Sequence, residues 1–120
     1  MIKNLPTILI EYLGKKMTSP TQRTLARLKK ENYDLVEVVE HYNFFSKKRH
    51  DCFSILDIIA IKDKDTYGIQ VTSYSNVSAR VKKITESAAL GPLRKANWTI
   101  LVEGWYKKNN RWVSRIVDLS

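Results

Sequence analysis

The chain has 120 residues, enough for one domain with one core and too few for two. Lys and Arg number 21 against 12 Asp and Glu, a formal charge of +9 that points to a polyanionic partner, most simply nucleic acid. The single cysteine, Cys52, excludes an intramolecular disulfide and a thiolate zinc site and fits a reducing cytosol, and no apolar run is long enough to span a bilayer.

Residues 1–18 read as an added arm. The segment Leu5-Pro-Thr-Ile-Leu-Ile-Glu-Tyr-Leu13 is too short and too interrupted for a signal peptide, so a cytoplasmic protein is expected. Pro6 is placed to open a short helix carrying Ile8, Leu9, Tyr12 and Leu13. Those apolar residues need a surface, on this domain or on a second copy. No strongly basic amphipathic helix points to a membrane.

The next start signal is sharper. Ser19-Pro20-Thr21-Gln22 sets Ser at the N-cap, Pro at the first helical position and Gln at the third, a capping box. The helix is expected to run to about Asn32, with Leu25 and Leu28 facing the core. Arg23, Arg27, Lys29 and Lys30 are expected to form a basic outer surface.

Leu35 to Tyr42 is rich in β-branched residues and reads as a strand. Ser46-Lys47-Lys48-Arg49-His50 is a basic turn. The run 54–61 is apolar on both faces, as in a central strand covered on both sides. A polar hairpin loop, 62–66, leads to a strand over 67–72. A helix is expected over 77–88, with Val77, Val81, Ile84 and Ala88 toward the sheet, Asn76 as N-cap and Gly91-Pro92 as the stop. Strands over 98–106 and 111–119, joined by a turn at 107–110, complete the chain. Residues 19–120 thus form a single α/β domain, a mixed sheet of four to five strands flanked by helices. The crossover helix permits a parallel pair.

Asp57 stands in the middle of the apolar run 54–61. A buried carboxylate is expensive unless it is paired or holds a metal. Alternation puts Gln70 and Thr72 on one face of the following strand, with Ile69 and Val71 facing away. If Asp57 shares that face, Asp57 and Gln70 offer oxygen ligands to Mg²⁺ or Mn²⁺, and the backbone carbonyl of Val71 can complete the shell. The plainer alternatives are an Asp paired with a nearby cation and an amide bonded across the sheet. Asp51 is either a further ligand or, as favoured, the partner of Arg49 in the turn. His41 and His50 are too isolated to be zinc ligands.

The pattern resembles the PD-(D/E)XK nuclease superfamily, which includes restriction enzymes and Holliday junction resolvases. That family has an α-β-β-β-α-β core, with Asp on the second strand and Glu-x-Lys or Gln-x-Lys on the third. Asp57 matches the Asp and Gln70 the Gln variant, over about residues 19–119. A further likeness, to small phage and bacterial proteins, rests on five stretches. These are Ser19-Pro-Thr-Gln-Arg-Thr-Leu25, Arg49-x-Asp51-x-Phe53-x-x-x-Asp57, Gln70-x-Thr72, Asn76-Val-Ser-Ala-Arg80-Val-x-Lys83, and Gly104-Trp105 with Arg111-Trp112. The resemblance implies a Mg²⁺-dependent deoxyribonuclease of prokaryotic or phage origin acting on duplex or branched DNA. A resolvase needs two sites, which implies a homodimer.

Thr72 stands where the family has its catalytic Lys and cannot supply a positive charge. Some branches place that charge on the next helix, where Arg80 and Lys83 lie three apart on one face. Glu37 and Glu40 lie on opposite faces of the first strand, and one of them is a further metal ligand under this resemblance. Glu40, in a family-like Val-Glu-x-aromatic stretch, is favoured over Glu37, the plainer alternative being solvent exposure. Phosphate contacts then fall to Lys47, Lys48, Arg49, Asn76, Arg80, Arg23 and Arg27. If no cation reaches the site, the same fold serves as an inactive nucleic-acid-binding module.

Overall fold

The computed structural model of the protein describes residues 3–4, 8–10 and 19–120, with the backbone alone described for 3–4, 8–10 and 42–43. In chain order the first elements are β1 (Lys3–Asn4), β2 (Ile8–Ile10), α1 (Pro20–Lys30), β3 (Leu35–Val38), β4 (His41–Asn43) and β5 (Lys48–His50). Then follow β6 (Ile58–Lys62), β7 (Asp65–Ser73), a 3₁₀ turn (Tyr74–Asn76), α2 (Val77–Thr85), α3 (Leu90–Lys95), β8 (Trp98–Lys108) and β9 (Arg111–Asp118).

The five principal strands lie in the order β3-β6-β7-β8-β9 in an open mixed sheet, and β1 and β2 pair onto β9. All these pairs are antiparallel except β7 with β8, which run parallel from Thr66 opposite Trp98 to Ser73 opposite Trp105. A parallel pair needs a crossover, and α2 with α3 supplies it as expected. α1 covers one face of the sheet over Ile58, Ile69, Val71, Leu101 and Trp105. α2 and α3 cover the other over Leu56, Ile100, Val102 and Val117. β4 and β5 form a two-stranded sheet of their own.

Local chemistry explains most boundaries. The Ser19 hydroxyl accepts the Gln22 N–H at 3.2 Å, and Pro20 opens α1 where its missing N–H costs nothing. Asn32 ends the helix with a left-handed φ of 60°. The β8–β9 hairpin turns on Asn109-Asn110, both at positive φ, as a right-twisted two-residue turn requires. Gly104 is dictated by packing. A Cβ there would collide with the Val77 side chain and come within 3.1 Å of the Tyr74 Cα, so only glycine lets the start of α2 lie directly on β8.

Several expectations are corrected. The strand expected over 54–61 begins only at Ile58. Phe53 and Ser54 adopt φ of 52° and 63°, and Cys52 bridges to Leu56, so Ile55 and Leu56 enter the core from a turn. β3 stops at Val38, and the chain then enters the separate β4–β5 hairpin. Residues 8–10 are a strand on β9 rather than a helix, while Pro6, Tyr12 and Leu13 lie outside the described residues. α2 ends at Thr85 and leaves Ala88 exposed. Gly91-Pro92 belongs to α3, with Pro92 in the first turn, where its N–H is not needed. Asn76 makes no capping bond, and its amide donates to the Ser73 hydroxyl at 3.1 Å.

The expected outer surface of α1 is the largest correction. Arg23 and Arg27 are buried, and only Lys29 and Lys30 of that set face water. The cause is Glu103, fully buried on β8. Arg27 donates to its two oxygens at 2.7 and 3.0 Å, Thr24 donates at 2.9 Å, and Ser114 on β9 donates at 2.7 Å. The Trp105 indole donates in turn to the Thr24 hydroxyl at 2.9 Å. Burial alone would lower the Arg27 guanidinium. The Glu103 carboxylate, by charge and hydrogen bond, and Glu31 more than reverse this and hold it above its usual value. Arg23 stacks on Trp112, its guanidinium carbon 3.5 Å from the ring centroid.

Arg27→Ala leaves the Glu103 carboxylate buried without its cation. The expected loss is about 3–5 kcal/mol of stability, read by urea denaturation. Replacing Arg27 and Glu103 together by Met and Leu recovers most of it.

Candidate functional site

Asp57 sits where the β6–β7 ladder ends. Ile58 opposite Ile69 is the last pair, and the Asp57 N–H donates to the Ile69 carbonyl at 2.9 Å. Two residues further on, the Val71 N–H points to the same edge, but β6 no longer runs beside it. Asp57 Oδ2 takes the place of the missing strand and accepts that N–H at 2.7 Å. Backbone N–H and C=O of one residue point the same way along a strand, so the Val71 carbonyl faces this edge too.

Ile58, Ile69 and Val71 pack toward α1. Asp57, Gln70 and Thr72 therefore face the α2 side, as alternation requires. All three are buried. Gln70 Nε2 donates to the same Asp57 Oδ2 at 2.6 Å. The other end of that amide, Oε1, is buried and has no hydrogen-bond partner among the described residues. A buried acceptor left unmatched costs free energy, so this oxygen marks a place where a donor or a cation belongs.

Two further carboxylates close on Asp57. Glu40 lies just past β3, and Asp51 directly follows β5. Oxygens of Glu40, Asp51 and Asp57 all lie within 4.8 Å of one another. The three carboxylates form a group that could hold a metal ion. The Asp57 carboxyl is pushed up from 3.8 to about 7. Burial is the main cause. The Val71 N–H opposes it, and Asp51, by charge and hydrogen bond, and Glu40 add to it.

Cations bound this acidic group. Arg49 Nη1 lies 3.2 Å from Glu40 Oε1, and Lys83 Nζ lies 3.6 Å from Asp51 Oδ2. The expected Asp51–Arg49 pair is thus corrected: Asp51 pairs across to α2. Beside the carboxylates opens a cleft of about 430 Å³ lined by Arg49, His50, Asp51, Ser54, Arg80 and Lys83. Arg80 and Lys83 stand one turn apart on α2 and share this cleft, as their spacing implies.

The structure brings Asp57, Gln70, Glu40, Arg80, Lys83 and Arg49 to one place. Thr72 continues the same face one step on, opposite Gly104. Asn76 is exposed beyond it, and Lys47 and Lys48 are exposed on the hairpin. Arg23 and Arg27 lie under α1 on the opposite face and are not part of the site. Sequence reasoning weighed Asp51 as a further ligand but favoured its pairing with Arg49, and it missed His50 and Ser54 as lining of the cleft. The Asp51-to-Asp57 spacing was visible, but the turn at 53–56 that folds it back was not.

No protein-family model, curated protein or solved structure matches this chain.

A raised carboxyl pKa sets a pH dependence of stability. The folded state binds a proton at Asp57 between about pH 4 and pH 7 where the unfolded state does not. The stability this contributes is full below the unfolded value and is lost as pH rises through 7. In metal-free buffer, the stability of wild type minus that of Asp57→Asn falls from pH 4 to pH 8 by roughly 4 kcal/mol at most. Urea denaturation of both proteins across that range reads it.

Proposed function

We propose that the protein is a metal-dependent phosphodiesterase acting on DNA, a nuclease of the PD-(D/E)XK kind, with Mg²⁺ or Mn²⁺ as cofactor. One observation carries the reading: oxygens of Glu40, Asp51 and Asp57 converge within 4.8 Å of one another, and Asp51 also lines a cleft with Arg49, Arg80 and Lys83. The open mixed sheet with α1 before it and α2 crossing over it supports the reading as well.

Asp57, Glu40, Asp51 and Gln70 would hold the ion, with the Val71 carbonyl on the same edge. When bound, such an ion neutralises phosphate charge and lowers the pKa of a coordinated water. The chain's own residues do the rest. Arg49 and Arg80 hold the phosphate by charge and stay protonated throughout. Lys83, already beside Asp51, takes the part of the lysine that Thr72 replaces. It orients and polarises the attacking water. A phosphate entering the cleft draws Arg49 and Lys83 from their carboxylate partners, which frees those oxygens for the ion. The +9 formal charge favours the polyanionic substrate.

A second reading, an inactive nucleic-acid-binding module of the same fold, is favoured by two features. Thr72 carries no charge, and the Arg49–Glu40 and Lys83–Asp51 pairs neutralise two of the carboxylates without any metal.

Cleavage of labelled linear, single-stranded and four-way-junction DNA separates the two. With Mg²⁺ or Mn²⁺ the wild type cuts, Asp57→Ala abolishes cutting, and DNA binding is largely unchanged in the variant. Binding without cutting in both proteins leaves the second reading. Independently, Mg²⁺ at one hundred times its Kd stabilises the wild type by about 2.7 kcal/mol, read as a rise in Tm, and leaves Asp57→Ala unmoved.

A further inference from the structure

The β4–β5 hairpin carries a feature that the cleft chemistry does not use. At its tip Phe44 is 82% and Phe45 101% exposed, and Lys47, Lys48 and Arg49 follow after Ser46. Scattered apolar residues on a surface are ordinary. Two consecutive rings at the tip of a cationic ribbon are not, because polar residues make better turns and a ring in water forfeits its burial term. The ribbon lies outside the main sheet, and its base leads into the site: Arg49 and His50 line the cleft, and the next residue, Asp51, belongs to the carboxylate group.

We propose that this hairpin reads the substrate. Phe44 and Phe45 stack on unpaired bases while Lys47, Lys48 and Arg49 hold the flanking phosphates, so the substrate is DNA with single-stranded or unstacked character beside the cut. The inference rests on the nuclease reading above and names its substrate class. Every base presents a π-face to a phenyl ring, and phenylalanine has no group with which to read base edges. Recognition by this tip is therefore selective for structure and indifferent to sequence.

The dimensions fit. Lys48, which pairs with Asn43 at the end of the ribbon, is three residues from Asp51. At ~3.4 Å per residue that is about 10 Å. It matches about three base steps along a strand. The tip thus meets bases a few steps from a phosphate held in the cleft. Charge argues against a second copy as the occupant, since a twofold contact would set the same Lys47, Lys48 and Arg49 face to face.

The test uses metal-free full-length protein in EDTA. The DNA probes are a single-stranded oligonucleotide, its blunt duplex and a four-way junction, each fluorescein-labelled for anisotropy. A parallel set carries 2-aminopurine. The wild type is expected to prefer the single strand and the junction. Phe44→Ala/Phe45→Ala loses roughly tenfold or more on those two, little on the duplex, and the quenching of 2-aminopurine, with Tm unchanged. Lys47→Ala/Lys48→Ala weakens all three probes alike and lowers the salt slope by about 1.5.

Unchanged binding and quenching in the double Phe variant overturns the proposal. So does a defect seen instead in self-association by sedimentation, or in binding to phosphatidylserine vesicles, with DNA binding intact. These measurements need no cleavage, so stacking without cutting in Mg²⁺ counts against the nuclease reading alone.

Discussion

Glu103 fixes where α1 sits on the sheet. A carboxylate with no access to water must be matched in full, and the partners come from three places: Arg27 and Thr24 on α1, Ser114 on β9, and the Trp105 indole through Thr24. The Arg27 and Thr24 bonds to Glu103 and the Trp105 bond to Thr24 do not survive a rotation or a slide of α1, because they cross between α1 and the sheet. Hydrophobic contacts such as Leu28 over Ile69 drive α1 onto the sheet but tolerate several arrangements. The ionic cluster selects one.

The chain holds a second buried carboxylate, and it is treated in the opposite way. Asp57 accepts from the Val71 N–H and the Gln70 amide, but Asp51 and Glu40 also lie near it, and among the described residues no buried cation stands against it as Arg27 stands against Glu103. The result is a carboxyl raised to about 7, where Arg27 answers Glu103 with a raised affinity for its own proton. One arrangement is closed and serves the fold. The other is open in charge and in hydrogen bonding, with Gln70 Oε1 still unmatched. A buried carboxyl with such an environment is a candidate for a functional role.

Two ion pairs stand at the rim of the acidic group. Arg49–Glu40 is largely exposed at the Arg end, and Lys83 is 43% exposed, so both are weak surface pairs. The hairpin that supplies Arg49 also carries the exposed rings of Phe44 and Phe45.

The parts of this protein written in short-range chemistry are legible in its sequence. The Ser19-Pro20 start, the period-two alternation that sets Gln70 apart from Ile69 and Val71, the helical spacing of Arg80 and Lys83, and the parallel step implied by a crossover helix all follow from local rules. Asp57 could be singled out because a carboxylate among isoleucines is a local anomaly. What tertiary structure alone decided lies in partners far apart in the chain. Arg27 reads as a surface arginine until Glu103, 76 residues later, is placed beneath it. Asp51 reads as a turn residue until the left-handed backbone at Phe53 and Ser54 folds it back beside Asp57. An isolated stretch shows that a charge is costly to bury. Only the assembled sheet shows which charge it meets, because the energy of a buried ion depends on distances that no local pattern encodes.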